Sequence, residues 1–303
     1  MKPAPPPPAL AAHAPDAHWT LDAETRCSLW WNRTPSLDGQ KVGVIGHYAA
    51  RDARGAQTLL DHASRELAAR GCGLAVGPMD GNTWRSYRLV TERGSEPPFF
   101  LEPWHPEDWP VHFEAAGFEP RARYRSTVNE NLEQRDPREE EIAERLAGEG
   151  VRIRSLNPAR LEDELGRIYA VTIESFGPSF LFTRLDEAEF RASFARLWPR
   201  VRPELVLLAE QDARPVGYVF ALPDALRVPC DTVVVKTLAA RPGRAWAGLG
   251  RLLLARVHQS ARDAGYRRAI HALMHDSNAS TVLSGRTARL LRRYALLSKR
   301  IAP

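Results

Sequence analysis

The chain has 303 residues, 44% hydrophobic and 26% charged, with a formal net charge of +5. That length suits one large domain or two ordinary ones, and no apolar run approaches the roughly 18 residues of a membrane helix, so a membrane-spanning chain is not expected. Cys27, Cys72 and Cys230 are too few and too scattered for a disulfide framework or a zinc cluster, which fits a reducing cytoplasm, and no metal is expected.

Residues 1–20 open with five prolines among the first eight positions and read as a disordered proline-rich tail rather than a signal core. Residues 26–50 read as two strands around a turn at Ser36 to Gly39. A helix follows over 55–70, with Leu59, Leu60, Ala63, Leu67 and Ala68 on one face and Gly71 as its stop. After a short strand and a polar loop, the segment 97–109 is too rich in proline for a regular helix, and a short helix ending at Gly117 leads into a strand. Asp80, Asn82, Glu102 and His105 lie among Trp84, Trp104 and Trp109. Such a mixture suits a pocket with an apolar wall and a few orienting polar groups, and equally suits turn residues with aromatics closing a core.

Residues 129–150 are charge-rich and end in glycine, so they read as a linker with one solvated helix. Beyond it come a strand at 151–156, helices over 158–176 and 186–197, and strands at 204–210 and 215–222. The stretch Asp231 to Gly265 then combines a β-branched strand, a loop carrying Gly243, Gly248 and Gly250 among Arg241, Arg244 and Arg251, and a long amphipathic helix. Glycines let backbone approach a ligand, and the first N–H groups of a helix have no internal partner, so this is either an anion cradle or a tightly packed connection. A strand at 267–274, a helix over 275–290 and a closing strand at 292–301 complete the chain. From Arg241 onward thirteen Lys and Arg face only Asp263 and Asp276, which favours a polyanionic ligand. Nucleic acid is not expected, because no basic surface pattern interleaved with aromatics accompanies that charge. Only four of the 42 basic residues are lysine, a codon signature of a GC-rich bacterial genome.

This element order resembles the GCN5-related N-acetyltransferase (GNAT) family over 151–303. The family's acyl-CoA signature is Gln or Arg, two residues, Gly, one residue, then Gly or Ala; Gly248 and Gly250 match, and Ala245 stands at the Gln/Arg position with Arg244 beside it. The N-terminal half, through KVGVIGHYAARDARGAQTLLDHASRELAARGCGLAVG and FEAAGFEPRARYRS, resembles a decayed second copy in which no CoA is expected. The resemblance to tandem GNAT proteins of bacteria implies an α+β fold of two GNAT-like domains, 21–128 and 151–303, each a mixed central sheet flanked by helices. It implies acetyl-CoA or another acyl-CoA held by Arg241, Arg244, Ala245, Trp246, Ala247, Gly248, Leu249, Gly250 and Arg251, with Asn278 on the CoA arm and Thr237 or Leu238 as oxyanion donor.

Candidates for the general base are Glu174, Asp231, His271 and His275, although His271 sits in a buried-looking run and reads also as a core histidine. The family's tyrosine acid is missing: Gly285 and Arg286 fall at its position, Ser284 is the nearest hydroxyl, and Tyr294 belongs to the closing strand. Asp80, Asn82, Trp84, Glu102, Phe176 and Tyr218 form the expected acceptor-binding set. The expected function is acyl-CoA-dependent N-acyl transfer, with acetyl the simplest group and a primary amine of a small molecule, amino acid or peptide as acceptor. A cytoplasmic monomer or homodimer is expected. The alternative, motivated by Ala245 and the missing tyrosine, is a non-catalytic CoA-binding or peptide-binding module.

Overall fold

The computed structural model describes residues 2–134, 136–284 and 288–302, and of Ala279, Val282 and Ser284 only the backbone. The N-terminal half runs β1 (Lys2–Pro3), α1 (Pro8–Ala11), β2 (Ala17–Thr20), β3 (Arg26–Trp30), β4 (Ser36–Leu37), β5 (Gln40–Ala49), α2 (Ala53–Ala69), β6 (Leu74–Gly77), β7 (Leu89–Glu92), α3 (Trp109–Ala115) and β8 (Glu119–Asn129). The C-terminal half runs α4 (Glu139–Gly148), β9 (Arg152–Ser155), α5 (Leu161–Phe176), α6 (Glu187–Ala195), β10 (Val206–Gln211), β11 (Arg214–Pro223), β12 (Thr232–Ala240), α7 (Leu249–Asp263), β13 (Arg268–His275), α8 (Ala279–Ser284) and β14 (Arg289–Arg300).

Local chemistry accounts for most of these boundaries. Asp38 and Gly39 both have positive φ, 52° and 73°, the geometry of a two-residue hairpin turn between β4 and β5. Asp52 caps α2 by accepting the Gly55 N–H at 2.8 Å, and Asp186 caps α6 by accepting the Glu189 N–H at 2.8 Å. The apolar run of β11 is buried from Val216 to Leu222, as in a strand covered on both faces. Helix α7 lays Leu249, Leu252, Leu253, Val257 and Ala261 against β11 and β12, and α5 packs on the same strands with Leu165, Ile168 and Val171 buried. Among the described residues no helix is long and apolar enough to cross a membrane.

The halves do not keep separate sheets. Their strands form one sheet ordered β1-β2-β3-β5-β6-β14-β8-β13-β12-β11-β10-β9, with β4 on β5 and β7 on β14. The parallel pairs are β5 with β6 and β12 with β13. The two long closing strands have traded places: β14 pairs with β6 and β7 of the N-terminal half, while β8 pairs with β13 of the C-terminal half. They also pair with each other from Arg289↔Val128 to Ser298↔Glu119, which welds the halves together. Alternation fixes which face of a strand is buried but not which open edge it joins, so this exchange is invisible to a reading that closes each sheet with its own last strand.

Two expectations about the connecting segments are corrected. Residues 2–20 are ordered against the sheet: β2 adds to the edge of β3, the Trp30 Nε1–H donates to the His13 carbonyl at 3.0 Å, and the Asp16 carboxylate accepts the N–H groups of Trp31 and Asn32 at 2.6 and 3.0 Å. The helix of the 129–150 segment is not merely solvated. Ile142 and Leu146, one turn apart on α4, pack into the core that contains α7.

Candidate active site

The loop after β12 has the expected backbone form. Gly243 and Gly248 take φ values of 142° and 84°, and Gly248 is the N-cap of α7. The first helical bond runs from the Leu252 N–H to the Gly248 carbonyl at 3.0 Å. The N–H groups of Leu249, Gly250 and Arg251 therefore precede the helical ladder and face outward, where an anion is favoured by them and by the helix dipole.

In this structure the chain covers its own cradle. The Asp136 carboxylate ion-pairs with Arg251. Arg145 on α4 donates to the carbonyls of Ala247 and Ala245, and Ile142 lies 3.0 Å from where a Cβ on Gly248 would sit. Asp136 thus brings a carboxylate to the Arg251 side chain at the start of α7. The other arginines are committed or free at the rim: Arg241 is buried with Nη1 2.6 Å from Glu174, and Arg244 is exposed. Trp246 turns inward, donating Nε1–H to Gln211 at 3.2 Å.

Beside the cradle the sheet opens. β12 and β13 pair from Thr232↔Arg268 to Val235↔His271 and then part. At that level β12 bulges against β11, where Phe220 faces Thr237 and Ala221 faces Val235, leaving Lys236 as the extra residue. β13 slips against β8 between His271 and Met274, around Leu273 at φ 59°. The splayed strands enclose a cavity of about 1120 Å³ bounded by both halves of the chain. Thr237, Leu238 and Asn278 line it, as do Trp84, Glu102, Phe176 and Tyr218.

Asp80 and Asn82 do not line it. The Asp80 carboxylate accepts the His47 N–H at 2.6 Å, beside a His13–His47 hydrogen bond of 2.7 Å, and Asn82 accepts the Trp84 N–H at 3.0 Å. Both shape the loop that presents Trp84, whose Nε1–H donates to the Thr183 carbonyl at 2.7 Å. Glu102 borders the cavity but its oxygens are taken by Arg292 at 2.9 Å, the Tyr294 hydroxyl and the Phe99 N–H. Burial pushes its carboxyl upward, opposed by Tyr294 and Arg292. Tyr218 shares a 2.8 Å hydrogen bond with Thr172, and burial raises its phenol well above the usual range.

Two candidates for the base are displaced. Glu174 is 46% exposed, paired with Arg241, and outside the cavity. Asp231 sits at the closed end of the β12–β13 pair, where its carboxylate accepts the Thr232 hydroxyl at 2.8 Å and its carbonyl accepts the Arg267 N–H. His275 does line the cavity. Its Nδ1 lies 2.7 Å from the Ser277 hydroxyl and 3.2 Å from the Ser277 N–H, and burial lowers its pKa, which favours the neutral ring. The side chain of Ser284 lies outside the described part of the structure, as do Gly285 and Arg286.

His271 stacks on His258 with Nε2 atoms 2.9 Å apart, and both are buried. Burial takes His258 down to about 4 and holds His271 well below its ordinary value, aided by His258. One ring donates and the other accepts, so neither is a free base. The unfolded chain takes up protons near pH 6.5 whereas folded His258 does so only near pH 4. Stability is therefore expected to fall as pH drops through that window, by up to about 3 kcal/mol for His258 alone. The urea midpoint should decrease between pH 7 and pH 5, and decrease less in His258→Gln; equal slopes would remove the pair as the cause.

Two features of the site escape a reading of the sequence. Lys236 is a single ammonium inside an apolar strand, and that oddity was its only signal. The docking of α4 was announced only by Ile142 and Leu146 at helical spacing within a charged stretch.

No family model matches the sequence, and no curated protein does. Among solved structures, 92% of the chain aligns with 77% of a GCN5-related N-acetyltransferase from Sphaerobacter thermophilus, at 16% identity and a TM-score of 0.52. The fold is that of the GCN5-related N-acetyltransferases. A second GNAT structure agrees: the GCN5-related glucosamine N-acetyltransferase region of a fungal multi-domain GH3 β-N-acetylglucosaminidase aligns over 91% of this chain, at 12% identity and a TM-score of 0.54. The chain spans 31% of that longer protein. In GNAT terms β12 and β13 correspond to the fourth and fifth strands of the C-terminal half, and the loop Gly243 to Gly250 joins β12 to α7. In the N-terminal copy, β5 and β6 pair only from Val42↔Leu74 to Val44↔Val76, and the following helix is capped by Asp52 rather than left open.

Proposed function

We propose that the protein transfers an acyl group from acyl-CoA to an amine held in the cavity between β12 and β13. The observation that carries this reading is the junction of a helix-start anion cradle with a strand splay that leads into a large, mixed apolar and polar cavity. A pyrophosphate suits the N–H groups of Leu249, Gly250 and Arg251, and the slot past Leu238 and Asn278 suits an extended, uncharged arm. On the side that parts from β13, the stretch from Lys236 to Leu238 offers backbone N–H groups to a carbonyl oxygen that becomes negative during reaction. The amine nitrogen bonds to the acyl carbon, the carbon–sulfur bond breaks, the amine proton goes to a base and CoA leaves as thiol. The departing sulfur, whose thiol pKa is roughly 8.5, takes its proton from the conjugate acid of that base or from water, and neutral His275 in the cavity wall suits the role of the base. Three unpaired cysteines fit a reducing compartment.

The covered cradle favours one other reading, a GNAT fold that no longer takes acyl-CoA. Loosening the cover separates the two. Removing two charge-assisted contacts loosens the cover that Asp136 and Arg145 lay over the start of α7, so Asp136→Asn with Arg145→Ala is expected to tighten acetyl-CoA binding about tenfold by calorimetry. Acetyl-CoA binding to neither the wild type nor this variant would decide for the second reading. If binding is seen, thiol release with a panel of amines, amino acids and lysine peptides tests transfer.

A further inference from the structure

Two cationic side chains facing the cavity have no part in the chemistry above. Lys236 lines it from the bulge of β12, and its ammonium makes no hydrogen bond or ion pair with any described residue. Arg88 lines it from the opposite half and is 5% exposed. The Arg88 guanidinium lies between the rings of Tyr87 and Tyr124, 3.7 and 4.0 Å from their centroids, with Nη1 donating to the Leu273 carbonyl at 3.0 Å and Nε left without a partner. The two charges feel each other: burial lowers Lys236 to about 8, and Arg88 adds to that shift.

Among the described residues neither cation has a counter-ion. Among the described residues of the cavity wall the one carboxylate is Glu102, which is spent on Arg292 and Tyr294. The remaining wall charges are cationic too: Arg85 is paired with Glu189 at 2.9 Å, and Arg196 is exposed at the rim. Sheltering an ammonium near a guanidinium without an anion is unfavourable, and a bound anion relieves it. Around these charges the wall is aromatic, with Trp84, Phe176, Phe182 and Phe194.

We propose that Lys236 and Arg88 form a carboxylate-binding subsite, so that the molecule reacting in this cavity carries a carboxylate beside an apolar body. This rests on the acyl-transfer reading for what the cavity is for, but not for whether it binds a carboxylate. The carboxylate has two sources: an amino-acid acceptor, or an acyl group derived from a dicarboxylic acid. Phosphates are a poorer match, since Lys236 and Arg88 are reached through an aromatic-walled cavity rather than a polar cleft.

Calorimetry on the full chain without acyl-CoA tests it, using N-acetylphenylalanine against N-acetylphenylalaninamide. The acid is expected to bind at least about tenfold tighter than the amide, an advantage that Lys236→Met abolishes and Lys236→Arg retains. Arg88→Gln carries the same expectation as Lys236→Met and serves if that variant does not fold. A second arm compares succinyl-CoA with butyryl-CoA. A tenfold preference there that depends on Lys236, with acid and amide equal in the first arm, assigns the carboxylate to the donor and keeps the subsite. No preference in either arm, or a preference untouched by both substitutions, overturns it. Failure of the acyl-transfer reading shows separately, as absence of acetyl-CoA binding in every variant.

Discussion

Glu102→Ala is expected to destabilise the protein by about 3–5 kcal/mol, a large share of the roughly 5–15 kcal/mol that holds a domain folded. Both side chains of the Glu102–Arg292 pair are fully buried, 2.9 Å apart. Arg292 also donates Nε–H to the Arg93 carbonyl at 2.7 Å and Nη2–H to the Glu96 carbonyl at 2.5 Å. Those carbonyls accept from two of its nitrogens but do not balance its charge, so the truncation leaves a guanidinium in the interior without its counter-ion. The pair also fastens the 93–102 segment to β14, the strand that the C-terminal half lends to the N-terminal sheet. Urea unfolding is expected to give a much smaller loss for Glu102→Leu combined with Arg292→Met, because removing both charges leaves none stranded. A single-variant loss below about 1 kcal/mol would mean that water reaches this pair and that it is not a structural clasp.

What the sequence makes legible is what short-range chemistry decides. Gly248 had to be a residue at ease in the left-handed region, and the run VVVKTLAA before the loop had to be a covered strand. Together with the helix period of α7 they announce the cradle before any coordinates are seen. What stays hidden depends on partners far along the chain. Nothing in β8 or β14 says which of two open sheet edges each will join. Nothing in Glu174 says that Arg241 will hold it at the surface, and nothing in Asp80 says that it will bind the His47 N–H instead of a ligand. The cavity is a special case: Trp84, Phe176 and Tyr218 are recognisable as wall, whereas Lys236 and Arg88 acquire meaning only when they face a common space without an anion. The closing of the cradle by Asp136, Arg145 and Ile142 is likewise a long-range event, and it turns an apparently open loop into one that a ligand must compete for.

That competition makes the choice of substitution in the loop important. Glutamate at Gly248 is uninformative, since φ is 84° there and Ile142 lies 3.0 Å from the new Cβ. Gly250 is the clean position: a Cβ there meets only Leu238 Cδ2, at 3.9 Å, and an acidic residue in the first turn suits the helix dipole. Gly250→Glu should therefore fold normally while placing a carboxylate where a pyrophosphate would bind. The decisive measurement is acetyl-CoA titration, by calorimetry, of the Asp136→Asn, Arg145→Ala protein with and without Gly250→Glu, with unchanged circular dichroism. Measurable binding is predicted for the first and at least about a hundredfold weaker binding for the second, because the new carboxylate repels the pyrophosphate and crowds the N–H groups it would use. Equal affinity with and without Gly250→Glu would contradict the placement of acyl-CoA at the start of α7.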